Sequence, residues 1–219
     1  GCAPHEVLYM STGGIGARLP VEKILEKLPQ LVSSASVNGL GEFAQAIMTT
    51  DLVPKVRTVA VEDRSGPSFR VTGVAKGSGM IHPNMATMFG FLLSDAPMPG
   101  TSGSSAAAVH TGAPPGGSAG SIYKEGTPAV SPLEALRNLA GKSFNRVTVD
   151  GDTSPNDTVL LWCSGAAVKS ALASSLGRAN VAWNGVQSAL LERSLLEVSQ
   201  ELCRAIATDG EGATRPVTL

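Results

Sequence analysis

One segment constrains this chain more than any other: Lys76-Gly77-Ser78-Gly79-Met80-Ile81-His82-Pro83-Asn84-Met85-Ala86-Thr87-Met88. Before it, residues 57–62 and 68–75 alternate apolar and polar. Strand side chains point to opposite faces with a period of two, so these stretches predict two strands joined by a turn over 63–67. After it comes an apolar run, 88–93, which predicts a strand that stops at Ser94-Asp95. The glycine-rich segment must therefore carry the chain from one strand to the next. Gly73, Gly77 and Gly79 let the backbone bend or pass close to another group. Pro83 holds one φ angle and removes one donor. The small side chain of Ala86 leaves its carbonyl unshielded directly before Thr87.

That arrangement suits a specific chemistry. The Thr87 hydroxyl can attack the carbonyl of Ala86, turning the peptide into an ester that water then cuts. The released chain begins with Thr87, and its α-amine titrates at about 7.7–8.0. Such an amine can take the proton of its own hydroxyl, the pairing used by N-terminal threonine nucleophiles. The same residues also read as an ordinary glycine-rich turn before a buried strand. His82 is a conceivable general base, but self-activation by the Thr87 amine makes it unnecessary.

The segment resembles the self-cleavage segment of the bifunctional ornithine acetyltransferases (glutamate N-acetyltransferases) of arginine biosynthesis. Further blocks resemble that family in the same order: Ser11-Thr-Gly-Gly-Ile-Gly16, Ala46-Ile-Met-Thr-Thr-Asp51 with Pro54-Lys55, Phe144-Asn145, Thr148-Val-Asp-Gly-Asp-Thr-Ser154 with Asn156-Asp-Thr-Val-Leu160, and Asp209-Gly-Glu-Gly-Ala-Thr214. The resemblance implies Thr87 as nucleophile and cleavage between Ala86 and Thr87. It implies Thr12 and Gly13 as the oxyanion hole, and substrate contacts at Thr49, Lys76, Thr87 and Glu211. The implied reaction moves an acetyl group from N2-acetylornithine to glutamate through an acetyl-threonine, without a cofactor. Some members also take acetyl-CoA as donor. The implied assembly is an α chain ending at Ala86 and a β chain starting at Thr87, paired into an α2β2 heterotetramer. Two alternatives stand beside this: a related self-cleaving amidohydrolase or aminopeptidase, or an inactive fragment of the transferase.

The fold the resemblance implies is α/β, a layered sandwich of mixed or antiparallel sheets between helices. Periodicity by itself shows only strands and amphipathic helices in alternation. Residues 20–28 predict a helix closed by Pro29, and 42–48 a second one. Ser131-Pro132-Leu133-Glu134 is a capping box opening a helix that runs to Ala140. Residues 147–149 and 159–163 read as strands around a turn with three aspartates. Calcium is a poor fit for that turn, since an EF-hand register puts Pro155 and Leu161 where Gly and Glu belong. Residues 186–207 form a long helix with Val186, Leu190, Leu191, Leu195, Val198, Leu202 and Ile206 on one face.

Between 96 and 126 the composition shifts to Ala, Gly, Ser, Pro and Thr. Such residues bury little apolar surface, so an inserted loop is expected over about 97–126, mobile over its core 101–121, within a single structural unit. The chain begins with Gly1 and enters the first block almost at once, which reads as a fragment of a longer protein, truncated at both ends. At 219 residues it is long enough for one sizeable core. Net charge is −1 and no basic stripe is present, which argues against nucleic acid or an anionic membrane as partner. No apolar run is long enough to span a membrane. Cys2, Cys163 and Cys203 are odd in number and far apart, which fits a reducing compartment: cytoplasm in a prokaryote, chloroplast or mitochondrion in a eukaryote. His5, His82 and His110 lack metal-ligand spacing, so no metal site is expected.

Overall fold

A computed structural model describes residues 7–12, 14, 16–62, 66–82, 88–98, 105–110, 121–122, 132–154, 156–174 and 183–218. Two helices come first, α1 (Val21–Ser34) and α2 (Leu40–Ala46). They are followed by strands β1 (Lys55–Val61), β2 (Phe69–Lys76), β3 (Phe89–Ser94), β4 (Ser105–His110) and β5 (Ser121–Ile122). Helix α3 (Pro132–Gly141), a 3-10 turn (Phe144–Arg146), β6 (Thr158–Cys163), α4 (Ala166–Ser174) and α5 (Gly185–Thr208) complete the order. The strands form one mixed sheet in the order β1-β2-β3-β6-β4-β5. Among the described strands, β3 and β6 are the only neighbours that pair in parallel. The α/β expectation therefore holds, with helices packed against the sheet.

Register fixes which side chains share a face. Lys55 lies opposite Ala75, Gly73 opposite Leu92, and Leu92 opposite Leu161. On the face carrying Val71, Gly73, Ala75, Leu92, Val159 and Leu161, α5 packs over β1 and β2, and α3 over β4. Leu191, Leu195, Val198, Leu202 and Ile206 of α5 are buried on this face, and Leu136 of α3 and Phe144 join the same core. The contact is close: a Cβ on Gly73 would lie 2.5 Å from Val198 and 2.7 Å from Leu202. The α5 stripe is as its periodicity predicts except at its start, where Val186 is exposed. Asn184 caps the helix, its side chain accepting from the Val186 and Gln187 amides. The opposite face carries Val74, Lys76, Phe89 and Phe91, and α2 meets it through Phe43, edge-on to Phe91 at 4.9 Å.

The structure corrects three expectations. Pro29 does not close α1, which runs on to Ser34 with Pro29 inside it. No residue of α1 is buried, so water can serve the carbonyl that Pro29 leaves without a donor. Residues 147–149 do not form a strand, although Val149 N–H donates to the Ile81 carbonyl at 2.8 Å. Within the small-residue stretch the backbone of β4 joins the sheet, antiparallel to β6 from Ser105↔Cys163 to His110↔Thr158. Backbone pairing needs no large side chain, so composition alone concealed this strand. The rest of the expected inserted loop, apart from the two-residue β5, lies outside the described residues beyond Met98.

Candidate functional site

The segment after β2 turns sharply twice. Gly77 has φ 139 and Met80 has φ 54. The first value lies in a region glycine enters without strain, and the second is uncommon for any other residue. These turns aim successive amides at carboxylates from distant parts of the chain. Gly77 N–H donates to Asp51 Oδ1 at 2.6 Å. Met80 and Ile81 donate to the two oxygens of Asp150. On the far side of the segment, Met88 N–H donates to Asp157 Oδ1 at 2.8 Å. Three aspartates thus pin the crossing at both ends. The aspartate-rich turn earns its composition here, with Asp150 and Asp157 occupied by backbone amides. Among the described residues no cluster of potential ligands could hold a metal ion.

Asp51 belongs to a buried ion network. Lys55 Nζ lies 2.6 Å from Asp51 Oδ1 and 2.6 Å from Asp209 Oδ2, with the side chains of Lys55 and Asp51 sealed from solvent. Asp209 Oδ2 also accepts from the Leu52 amide, and Asp51 Oδ2 from the Thr49 amide. Burial pushes the Asp51 carboxyl up, but the Lys55 ammonium and the Gly77 and Thr49 amides outweigh it and hold the group below its ordinary 3.8. At Asp150, burial is likewise outweighed by the Asp152, Met80 and Ile81 amides, and its carboxyl is held low.

Lys76 and Asp157 behave differently. Lys76 ends β2 on the face toward Phe89, whose ring centroid is 5.5 Å from Nζ. The residue is only 1% exposed, and Nζ has no hydrogen-bond partner among the described residues. Burial lowers its ammonium, opposed by the charges of Asp51 and Asp157. Asp157 is fully buried, and its Oδ2 likewise has no partner among the described residues. Burial pushes its carboxyl up to about 7, against the Met88 amide and the Lys76 charge.

Two of the expected substrate-contact residues, Lys76 and Glu211, border this loop. Glu211 N–H donates to the Ser78 carbonyl at 2.6 Å. The Glu211 carboxyl lies over Gly79, where an added Cβ would sit 2.7 Å from it. Thr49 is exposed just before Asp51, and its neighbour Thr50 shares a 2.8 Å hydrogen bond with the Ser78 hydroxyl. Lys76 and Glu211 therefore meet this loop from β2 and from just past the end of α5, while the segment of Thr49 meets it through Thr50 and Asp51. Thr12 is half-buried, and no hydrogen bond among the described residues joins it to this cluster. Gly13, Ala86 and Thr87 lie outside the described residues. His82 is exposed. Cys163 and Cys203 are free and buried, and burial pushes both thiols up to about 12, which makes them inert. Reading the sequence missed Lys55, Asp209 and Asp157 as site residues. The available signal was that each lies inside or beside a block already singled out by resemblance.

Fold and site define an α/β protein organised around a glycine-rich crossing that carries a buried lysine. The profile of the ArgJ family matches residues 1–111 and 129–219. The chain belongs to the ArgJ family, the bifunctional ornithine acetyltransferases of arginine biosynthesis. It is similar to the arginine biosynthesis bifunctional protein ArgJ of Thermosynechococcus vestitus, with 39% identity over 218 residues, covering 98% of this chain and 42% of that protein. It is 35% identical over 223 residues to the mitochondrial protein of that name from Talaromyces marneffei, covering 100% of this chain and 39% of the relative. With the chloroplastic protein of Populus trichocarpa it shares 40% over 214 residues, covering 96% and 36% respectively. The chain thus spans about two-fifths of the length of these curated relatives. The profile leaves only 112–128 unmatched, a narrower span than the insertion expected from composition. No helix among the described residues is long and apolar enough to cross a membrane.

Proposed function

We propose that this chain carries the acyl-transfer centre of a self-cleaving acetyltransferase that moves acetyl from N2-acetylornithine to glutamate. In this reading the precursor cuts itself between Ala86 and Thr87. Residues 1–86 then belong to an α chain and 87–219 to a β chain, in an α2β2 assembly. Thr87 Oγ attacks the acetyl carbonyl, and its α-amine takes the hydroxyl proton and returns it to the departing ornithine nitrogen. Thr12 and Gly13 stabilise the oxyanion, an interaction typically contributing about 3–4 kcal/mol per donor. Glutamate then takes the acetyl group from the Thr87 ester. Thr49 contacts substrate, and Glu211 receives the side-chain ammonium of ornithine.

Family membership supports this reading, and the observation that carries it is the buried Lys76 ammonium without a partner among the described residues. A buried cation without a hydrogen-bond partner is costly to keep, which suits a group that receives a carboxylate or oxyanion during turnover. The test is mass spectrometry of the whole protein at the length of its relatives. The wild type should give two polypeptides, one beginning at Thr87, and that one should gain the mass of one acetyl group with N2-acetylornithine. The Thr87→Ala variant should remain a single chain. Cutting at the same bond in that variant would remove Thr87 as nucleophile. Acetate release independent of glutamate would mark a hydrolase instead.

A further inference from the structure

The reading of Thr87 leaves one step without a base. In the transfer reaction the Thr87 amine can serve, but in the uncut precursor that nitrogen is still an amide. Something else must take the hydroxyl proton and deliver it to the leaving nitrogen. The described groups around the crossing can be taken in turn. Asp51 Oδ1 is held by Lys55 and Gly77, and its Oδ2 by Thr49. Both oxygens of Asp150 are held by the amides of Met80, Ile81 and Asp152. Asp209 Oδ2 is held by Lys55 and Leu52. Glu211 is exposed and lies at Gly79, His82 is exposed, and the Lys76 nitrogen, also without a partner among the described residues, lies over the Phe89 ring and holds no amide of the crossing.

Asp157 differs from all of these. Its Oδ1 holds the amide of Met88, the residue bonded to Thr87, and its Oδ2 is buried with no partner among the described residues. Buried polar atoms without a partner are rare in native proteins and call for an explanation. The carboxyl is anchored one residue from the proposed nucleophile with one oxygen to spare. We propose that Asp157 is the proton carrier of the acyl shift that frees Thr87. The inference rests on the reading of Thr87 above.

The step balances within the chain. As the Thr87 Oγ–C bond to the Ala86 carbonyl forms, the hydroxyl proton passes to Asp157 Oδ2. As the C–N bond of the same carbon breaks, Asp157 gives that proton to the Thr87 nitrogen, which leaves as the amine. Asp157 ends as the carboxylate it began as, and water then hydrolyses the ester. A carboxyl pushed up to about 7 by burial is matched to both halves of this exchange near neutral pH. The charge that reaches it is that of Lys76, with Asp51 and Lys55 behind Lys76.

The test compares cleavage rates of the whole precursor as wild type, Asp157→Asn and Asp157→Glu. Asparagine keeps the shape and the acceptor for the Met88 amide but cannot carry the proton. Glutamate keeps the carboxyl and displaces it. A merely structural Asp157 is replaced better by asparagine than by glutamate, and a proton carrier the reverse. We expect the Asn variant to be slowed at least about 100-fold, the low end of general acid–base contributions, and the Glu variant to keep part of the rate. Hydroxylamine, which captures the ester, should not restore cleavage in the Asn variant, because the ester does not form. Cleavage of that variant within a few-fold of wild type, Asn outpacing Glu, or rescue by hydroxylamine each overturns the proposal. Should the Asn variant fail to fold, the wild-type rate decides. It should fall about tenfold per pH unit below about 7, and a flat profile from pH 5 to 7 overturns the assignment. A wild type that never cuts brings down the reading of Thr87 itself. A cutting wild type beside an equally fast Asn variant brings down this inference alone.

Discussion

Replacing Lys55 by methionine should destabilise the protein strongly and in a pH-dependent way. The Lys55 nitrogen stands between two carboxylate oxygens, each 2.6 Å away. Those oxygens are therefore at most about 5 Å apart, and at an effective dielectric near 20 their bare repulsion is roughly 3 kcal/mol. Losing one partner of a buried ion pair typically costs about 3–5 kcal/mol, and the two figures agree. For a domain of this size that lowers the melting temperature by roughly 10 °C. The sign of the pH dependence follows from the charges. In the wild type Asp51 is held below 3.8, so its stabilising contribution is present above that pH and is lost only as pH falls through its lowered value. In Lys55→Met the repulsion is relieved when either carboxyl takes a proton. The deficit should therefore be large at pH 7 and shrink by pH 4.5. Urea unfolding of the intact protein at both pH values measures it. Adding Asp209→Asn should recover at least half the loss, because one charge of the facing pair is gone. A loss under about 1 kcal/mol at pH 7, or an equal loss at both pH values, would refute the electrostatic account.

Two further substitutions probe the packing around the loop. Gly73→Ala places a methyl 2.5 Å from Val198 and 2.7 Å from Leu202, so α5 has to shift off β2 at a cost of about 1–3 kcal/mol; an unchanged urea midpoint would mean that the helix gives way freely. Gly79→Ala meets first the movable end of Glu211. It should leave stability within about 1 kcal/mol and weaken use of N2-acetylornithine in the whole protein, as should Glu211→Gln, by roughly one to two orders of magnitude if a charge-assisted bond is lost. Normal donor use in both variants would leave Glu211 as no more than the end of a helix.

Local rules were enough for part of this architecture. The period-two alternation before the crossing marks β2 within a residue of its observed start and end, because a strand that buries alternate residues, as β2 does over its first four, imposes that period on its side chains. The α5 stripe was legible for the same reason at period 3.6, and the glycines at 77 and 79 marked where the backbone must turn or be approached. Resemblance implies substrate contacts at Thr49, Lys76 and Glu211, and of these the fold sets Lys76 and Glu211 at the two sides of one loop.

What tertiary structure alone decided is how that loop is held. Gly77 meets Asp51 across 26 residues, Met88 meets Asp157 across 69, and Lys55 meets Asp209 across 154. No local pattern encodes such pairings, since any of several aspartates could have taken each role. The burial that separates them is equally invisible in sequence. Asp51 and Asp157 are the same residue type, yet one is held low by an ammonium and two amides while the other is pushed up by desolvation. A carboxylate's chemistry is set by how much water and how many donors the fold leaves it, and both are properties of the assembled sheet and helices.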